Sequence, residues 1–195
     1  MGPAFPSEDA ARAWVWDRLL AEKAARFQFP PHGRIPNFAG TARAATRLMD
    51  LPDLHRAKRI KVNPDAPQRF VRQLALERGI AVFMPTPRLR GGFILLEPAE
   101  IPTDSYAEAA RLGAAMRWGK KIGLRELPQL EAIVVPADPH DLPVSVIVTP
   151  EEVTVVENPP ASPDGIAWEL LGPQALKEMP LLAELRRPTQ PRHGE

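Results

Sequence analysis

The sequence predicts an α/β domain in three layers, a mostly parallel sheet between helices, and three observations carry that expectation. The runs at 60–62, 80–84, 94–96, 132–135 and 144–148 are predominantly apolar, interrupted by Lys61 and Ser145, as strands covered on both faces are. Between the first two lies a stretch of helical period, residues 66–78, with Phe70, Val71, Leu74 and Ala75 on one side and Gly79 where a C-cap glycine belongs. Strand, helix and strand in that order form a βαβ unit, and therefore parallel neighbours joined by a crossover.

The remaining elements follow along the chain. A helix is expected over 8–25, capped by Ser7, with Trp16, Leu19 and Leu20 on one buried face. Pro30 and Pro31 end it, a loop runs from Phe29 to Phe38, and a short helix is expected over 41–50. The first strand spans 58–63 and the second 80–84. After 94–96 a helix over 104–117 offers Ala109, Ala110, Gly113 and Ala114 for close packing, and 153–156 reads as an edge strand or hairpin arm. Pro180 divides the last helical stretch, 173–186, into two pieces. The whole reads as one domain over 1–187 with a flexible, Pro-rich tail over 188–195.

Composition narrows the function classes. At 195 residues the chain holds one sizeable core. Its 25 Lys plus Arg against 24 Asp plus Glu give a net charge of +1, which lends non-specific nucleic-acid binding no support, and no RNA-recognition signature is present. Cysteine is absent, which excludes disulfides, thiolate nucleophiles and Cys-bound zinc, and the four histidines lack metal-site spacing, so no metal site is expected from the residues. Neither a membrane-length apolar run nor a signal-peptide pattern occurs, and a cytoplasmic location is expected. The P-loop and Gly-x-Ser-x-Gly patterns are missing.

In open α/β sheets, ligands sit beyond the carboxyl ends of the strands. Four junctions qualify, 63–68, 85–92, 136–143 and 149–152, and all four are expected to line one crevice. The first, within Lys61-Val-Asn-Pro-Asp-Ala-Pro-Gln68, is shaped like a site. Pro64 pushes Asn63 out of the α region, Asp65 can cap the following helix, and Gln68 stands where a capping-box partner belongs. The remaining amides of that helix start suit an anion. Lys61 and Asn63 are ligand candidates at the strand end, and Arg34, in its proline-bounded loop, suits phosphate or carboxylate. Arg56, Lys58, Arg59, Lys61, Arg69 and Arg72 face Asp65 as their counter-charge, either as an anion-binding or as a solvated face. Arg88 and Arg90 beside Gly91-Gly92 add two guanidiniums and glycines that let amides approach a phosphate. Asn37 is expected to brace its own loop, His140-Asp141 to form a capped turn, and Trp168 to cover the sheet or close the cleft.

Taken together, Arg34-Ile-Pro-Asn-Phe38, Lys61 to Gln68, Pro85-Thr-Pro-Arg-Leu89, His140-Asp141, Thr149-Pro150-Glu-Glu-Val153 and Gly165-Ile-Ala-Trp168 resemble the 5-formyltetrahydrofolate cyclo-ligase family, in its methenyltetrahydrofolate synthetase domain-containing branch. The resemblance implies a fold similar to ribose-5-phosphate isomerase and the CoA transferases, with reduced folate and ATP as ligands and Mg2+ accompanying the nucleotide. It implies ATP-dependent conversion of 5-formyltetrahydrofolate to 5,10-methenyltetrahydrofolate. Arg34, Lys61, Asn63 and Arg88 would be substrate or nucleotide contacts, Asp65 and Gln68 would orient the junction, and Thr149 and Pro150 would line the opposite wall. One departure stands out. The family's Gly-x-Gly-Gly-Gly-Tyr loop is expected between 132–135 and the segment 136–148, yet the strand runs straight into Pro136-Ala-Asp-Pro-His-Asp141. A phosphate cradle is thereby lost, and a non-catalytic module binding nucleotide, folate or RNA on the same scaffold is the alternative reading.

Overall fold

The structure, a computed structural model, describes residues 5–87, 90–123, 126–128, 132–134, 144–159, 166, 168, 171–179, 182 and 185. Its centre is a five-stranded sheet built from β3 (Arg59–Val62), β4 (Ala81–Pro85), β5 (Phe93–Leu96), β6 (Lys120–Ile122) and β7 (Ala132–Val134), in the order β6-β5-β4-β3-β7. Two short strands precede it, β1 (Ala25–Arg26) and β2 (Asn37–Phe38), which pair antiparallel.

The sheet is mixed, not mostly parallel in its ladders. β3 lies parallel to both β4 and β7, whereas β5 is antiparallel to both β4 and β6. Link length explains the reversal. Parallel neighbours need a crossover of a dozen or more residues, and residues 86–92 are too few to provide one, so β5 folds straight back on β4. Between β3 and β4 a crossover exists: a 3-10 turn at Ala66–Gln68 leads into α4 (Arg69–Glu77), so the expected βαβ unit forms. Gly79, at φ +74°, ends α4 as expected; its amide donates to the Leu76 carbonyl and that of Ile80 to the Ala75 carbonyl.

Strand alternation divides the core into two faces. Ile60, Val62, Val82, Met84, Ile94 and Leu96 point to one face, where residues of α2 (Thr41–Met49), α3 (Pro52–Arg56) and α4 bury them. Val71, Ala75 and Leu76 supply the buried stripe of α4, with Phe70 and Leu74 at its margin. Ala81, Phe83 and Phe93 form a smaller cluster on the other face, joined by Leu95, Ile122 and Leu127. Both faces are therefore apolar, as the unalternating runs require, and the described elements supply the sheet and one helical layer of the three expected.

Three expectations are corrected. Ser7 caps α1 (Glu8–Ala21) by accepting from the Ala10 amide, but no residue of α1 is buried, and Leu20 stays exposed. The helix expected over 104–117 is two, α5 (Tyr106–Ala109) and α6 (Leu112–Trp118), because residues 110–111 turn between them. Ala109, Ala110 and Ala115 are its closely packed alanines. Val144 to Val148 does not join the central sheet: β8 (Val146–Val148) pairs antiparallel with β9 (Val153–Val155) as a separate hairpin, and Ile147 is half exposed. α7 (Pro173–Glu178) is the first piece of the last helical stretch; the 188–195 tail lies outside the described residues. No described helix is long and apolar enough to cross a membrane.

Candidate functional site

Beyond the carboxyl end of β3 the chain opens a cleft of about 720 Å³. One wall is the loop that carries Phe27, Arg34 and Ile35; the other combines the junction Pro64–Ala66, the start of α4 and the entry to α6. Arg34, Arg69, Arg72 and Arg111 line it, and among the described lining residues Asp65 is the one carboxylate facing them. A basic concavity with apolar side chains at its rim suits an anion attached to a flat apolar body.

Arg72 organises this end of the sheet. It lies in the buried stripe of α4, only 1% exposed, and its guanidinium is spent on backbone carbonyls. Nε donates to the Ala110 carbonyl at 2.8 Å, one terminal nitrogen to the carbonyls of Asn63 and, at 3.2 Å, Asp65, and the other to that of Pro64 at 3.2 Å. Pro64 interrupts the ladder after β3, so the carbonyls of Asn63, Pro64 and Asp65 have no strand partner and an internal cation replaces it. Burial, partly offset by Asp65, pushes the guanidinium down to about 10, which leaves it charged at neutral pH. Asp65 moves up from its ordinary 3.8, because its burial outweighs the pull of Arg72 and Lys61.

Arg34 hangs in its loop by two contacts: its guanidinium donates to Gln28 Oε1 at 3.0 Å, and its carbonyl accepts from the Trp16 indole. Asn37 braces the same loop, donating to the Phe27 carbonyl at 3.2 Å while its Oδ1 accepts from the Phe38 amide. Arg69 stacks on Phe70, with the guanidinium carbon 4.6 Å from the ring centroid.

The expected site residues divide accordingly. Arg34 and Asp65 line the cleft together. Asp65 does not cap the helix, since its side chain makes no cap hydrogen bond. Gln68 is likewise no capping-box partner: its Oε1 accepts from the Asn63 amide at 2.9 Å, tying the junction back on itself. Lys61 and Asn63 stand behind the lining, Asn63 contributing through its backbone and Lys61 through its charge on Asp65. Arg88 lies outside the described residues, as do 136–143 with His140 and Asp141.

The described residues of two junctions are not in the cleft lining. In 85–92 the Gly91 amide is taken by Thr86 Oγ1 at 2.9 Å, and Gly92, at φ +73°, lets the Ile122 carbonyl approach where a Cβ would stand 2.3 Å from it. These glycines serve the reversal into β5. Thr149 and Pro150 form the β8–β9 turn, and neither lines the cleft. Thr149 Oγ1 accepts from the amides of Glu151 and Glu152, while Pro150 is packed against Gly40 and its carbonyl accepts from Arg47. Trp168 is half-buried, with its amide on the Ile166 carbonyl, and is not in the lining.

Sequence reading missed Arg111 and the buried role of Arg72. A signal for Arg72 existed: it sits three and four residues before Ala75 and Leu76, inside the apolar stripe. Arg111 offered none, because the turn that carries it interrupts an expected helix.

Comparison with known proteins decides the family. A model of the 5-formyltetrahydrofolate cyclo-ligase family matches residues 8–134, through both walls of the cleft and up to the end of β7. The chain belongs to that family. Among curated relatives, the methenyltetrahydrofolate synthase domain-containing protein of Mus musculus is 28% identical over 235 positions, covering 92% of this chain and 63% of that protein. Its counterparts in Bos taurus and Homo sapiens are 27% and 24% identical, again over 92% of this chain and over 62% and 61% of their own lengths. This cyclo-ligase family member thus spans about three-fifths of the relatives it matches. The 235 aligned positions also exceed its 195 residues, so the matched stretch of the relatives contains residues with no counterpart here.

Proposed function

We propose that the cleft beside β3 and α4 binds a reduced folate and ATP, and that the chain converts 5-formyltetrahydrofolate to 5,10-methenyltetrahydrofolate. The observation that carries this reading is the convergence of Arg34, Arg69 and Arg111 around Asp65, inside the stretch that matches the cyclo-ligase family. Both ligands are flat ring systems that end in anions, and the lining matches that division. Phe27, Ile35 and Leu112 offer apolar surface, and the guanidiniums offer paired donors for carboxylate or phosphate. The overall architecture would then be that of the ribose-5-phosphate isomerase and CoA-transferase-like fold.

The residues present fit the nucleotide. Arg34, Arg69 and Arg111 would hold its phosphates, and Asp65 is the carboxylate that Mg2+, held through one or two carboxylates and phosphate oxygens, would find there. Bound ATP supplies the phosphoryl group that activates the formyl oxygen for ring closure. The chain's own part is to neutralise the phosphate oxygens, orient the folate and keep Asp65 beside Arg72 and Lys61.

A second reading has its own support. The sequence contains no Gly-x-Gly-Gly-Gly-Tyr loop, and the relatives carry extra residues in the matched stretch, so a module that binds nucleotide, folate or RNA without turnover is the alternative. Calorimetric titration with 5-formyltetrahydrofolate and with ATP and Mg2+, alongside absorbance detection of methenyltetrahydrofolate, separates the two. Product formation supports the enzyme; binding without product, or RNA binding that weakens steeply with salt in the absence of folate binding, supports the module.

A further inference from the structure

We propose that Arg72 is a positioning residue that locks the two sides of the inner cleft wall together without itself holding the ligand. Its bonds reach two separate segments: the strand-end junction Asn63, Pro64 and Asp65, and the turn between α5 and α6 at Ala110. Each segment carries a charged lining residue next to a clamped carbonyl, Asp65 itself on one side and Arg111 on the other. The distance between a carboxylate and a guanidinium that must meet one ligand is thus set through a third side chain. A guanidinium has five N–H donors, and the contacts to these four carbonyls commit nearly all of the fork. With 1% of its surface exposed, Arg72 keeps little of that fork for a ligand, although it borders the cleft. Lysine cannot reproduce the arrangement: a single ammonium cannot reach both segments in the plane the carbonyls require. The clamp is a property of the fold; its effect on affinity rests on the proposed folate and ATP reading.

Hydrogen exchange read by mass spectrometry on the full chain tests the clamp with no ligand present. In Arg72→Lys, exchange should quicken about tenfold or more in peptides over 62–69 and over 106–115 together, while peptides over α2 and β4 keep wild-type protection. Faster exchange on one side alone, an equal rise in every peptide, or no change would overturn the proposal. If the lysine variant does not fold, the Arg72 Nε–H of the wild type is followed by NMR. Slow exchange with water is expected, and exchange as fast as that of an exposed arginine contradicts the clamp. For affinity, titration with ATP and Mg2+ should show Arg72→Lys about tenfold weaker than wild type with unchanged salt dependence, whereas Arg111→Ala is weaker and less salt-dependent. A salt dependence in Arg72→Lys as flat as that of Arg111→Ala would make Arg72 a ligand contact and overturn the positioning role. Should the wild type bind neither ATP nor folate, the functional reading fails, and the exchange result still decides the clamp.

Discussion

Two strand-end junctions of this chain, 63–68 after β3 and 86–92 after β4, look alike in sequence and differ in what they leave free. Both follow a buried strand, both contain proline, and both stand close to arginine. After β4 the chain reverses, and its turn closes on itself: Thr86 takes the Gly91 amide, Thr86 and Gly92 bond to each other, and Gly92 makes room for Ile122. After β3 the chain crosses over to a parallel neighbour, and its carbonyls are taken by a side chain from within the core. Among the described residues, the first junction bonds Thr86 to Gly91 and Gly92 within its own turn; the second satisfies its backbone from behind and leaves charged side chains lining the cleft. Proline marks a turn in both, but only the direction of the next strand decides whether that turn becomes a wall.

The largest effect that would sharpen this contrast is expected from Arg72→Met. It leaves the carbonyls of Asn63, Pro64 and Ala110 without the guanidinium, while Asp65 keeps the Gln68 amide, a loss of about 3–5 kcal/mol in chemical denaturation if two or more stay dry. A loss under about 1 kcal/mol would mean that water replaces the guanidinium and that the junction is open from behind. Gly92→Ala comes next. A Cβ at φ +73° meets the Ile122 carbonyl at 2.3 Å, so stability should fall by about 2 kcal/mol or more while ligand affinity is kept. Loss of affinity with intact stability would return the second junction to the site.

Smaller changes probe the cleft itself. Arg34→Ala and Arg111→Ala should each weaken ATP binding roughly tenfold, in line with the loss of one charge-assisted hydrogen bond, and leave the denaturation midpoint near wild type. Asp65→Asn should produce the smallest effect, a change of slope. Burial raises the Asp65 carboxyl above 3.8, so the native state holds that proton more readily than the unfolded chain does. Stability contributed by this group is present at low pH and falls as pH rises from 3.8 through the raised native value. The variant should flatten that part of the stability curve. A steeper curve would mean that Arg72 and Lys61 outweigh burial.

Where the sequence carried the information locally, it was legible. Proline, glycine and the helical period located the β3–α4–β4 unit, α2 and the Gly79 cap, and Arg34 and Asp65 emerged in one cleft. What it did not disclose depends on contacts far apart in the chain. The partner of Arg72 at Ala110 lies 38 positions away, and the contact of Arg47 with Pro150 spans 103. Neither leaves a local trace. The antiparallel return of β5 was implicit in the short 86–92 link, yet its unalternating apolar run reads the same in either direction. Gln68 shows a finer limit: its spacing from Asp65 fits a capping box, but with a 3-10 turn in between its carbonyl oxygen reaches Asn63 instead.

The central claim is that the β3 side of the sheet end, not the β4 side, holds an anionic, ring-bearing ligand. Calorimetric titration of wild type, Arg111→Ala and Gly92→Ala with 5-formyltetrahydrofolate and with ATP and Mg2+ tests it most directly. Saturable binding that Arg111→Ala weakens about tenfold and Gly92→Ala leaves unchanged is the predicted result. No binding by the wild type, or equal weakening by both variants, would contradict it.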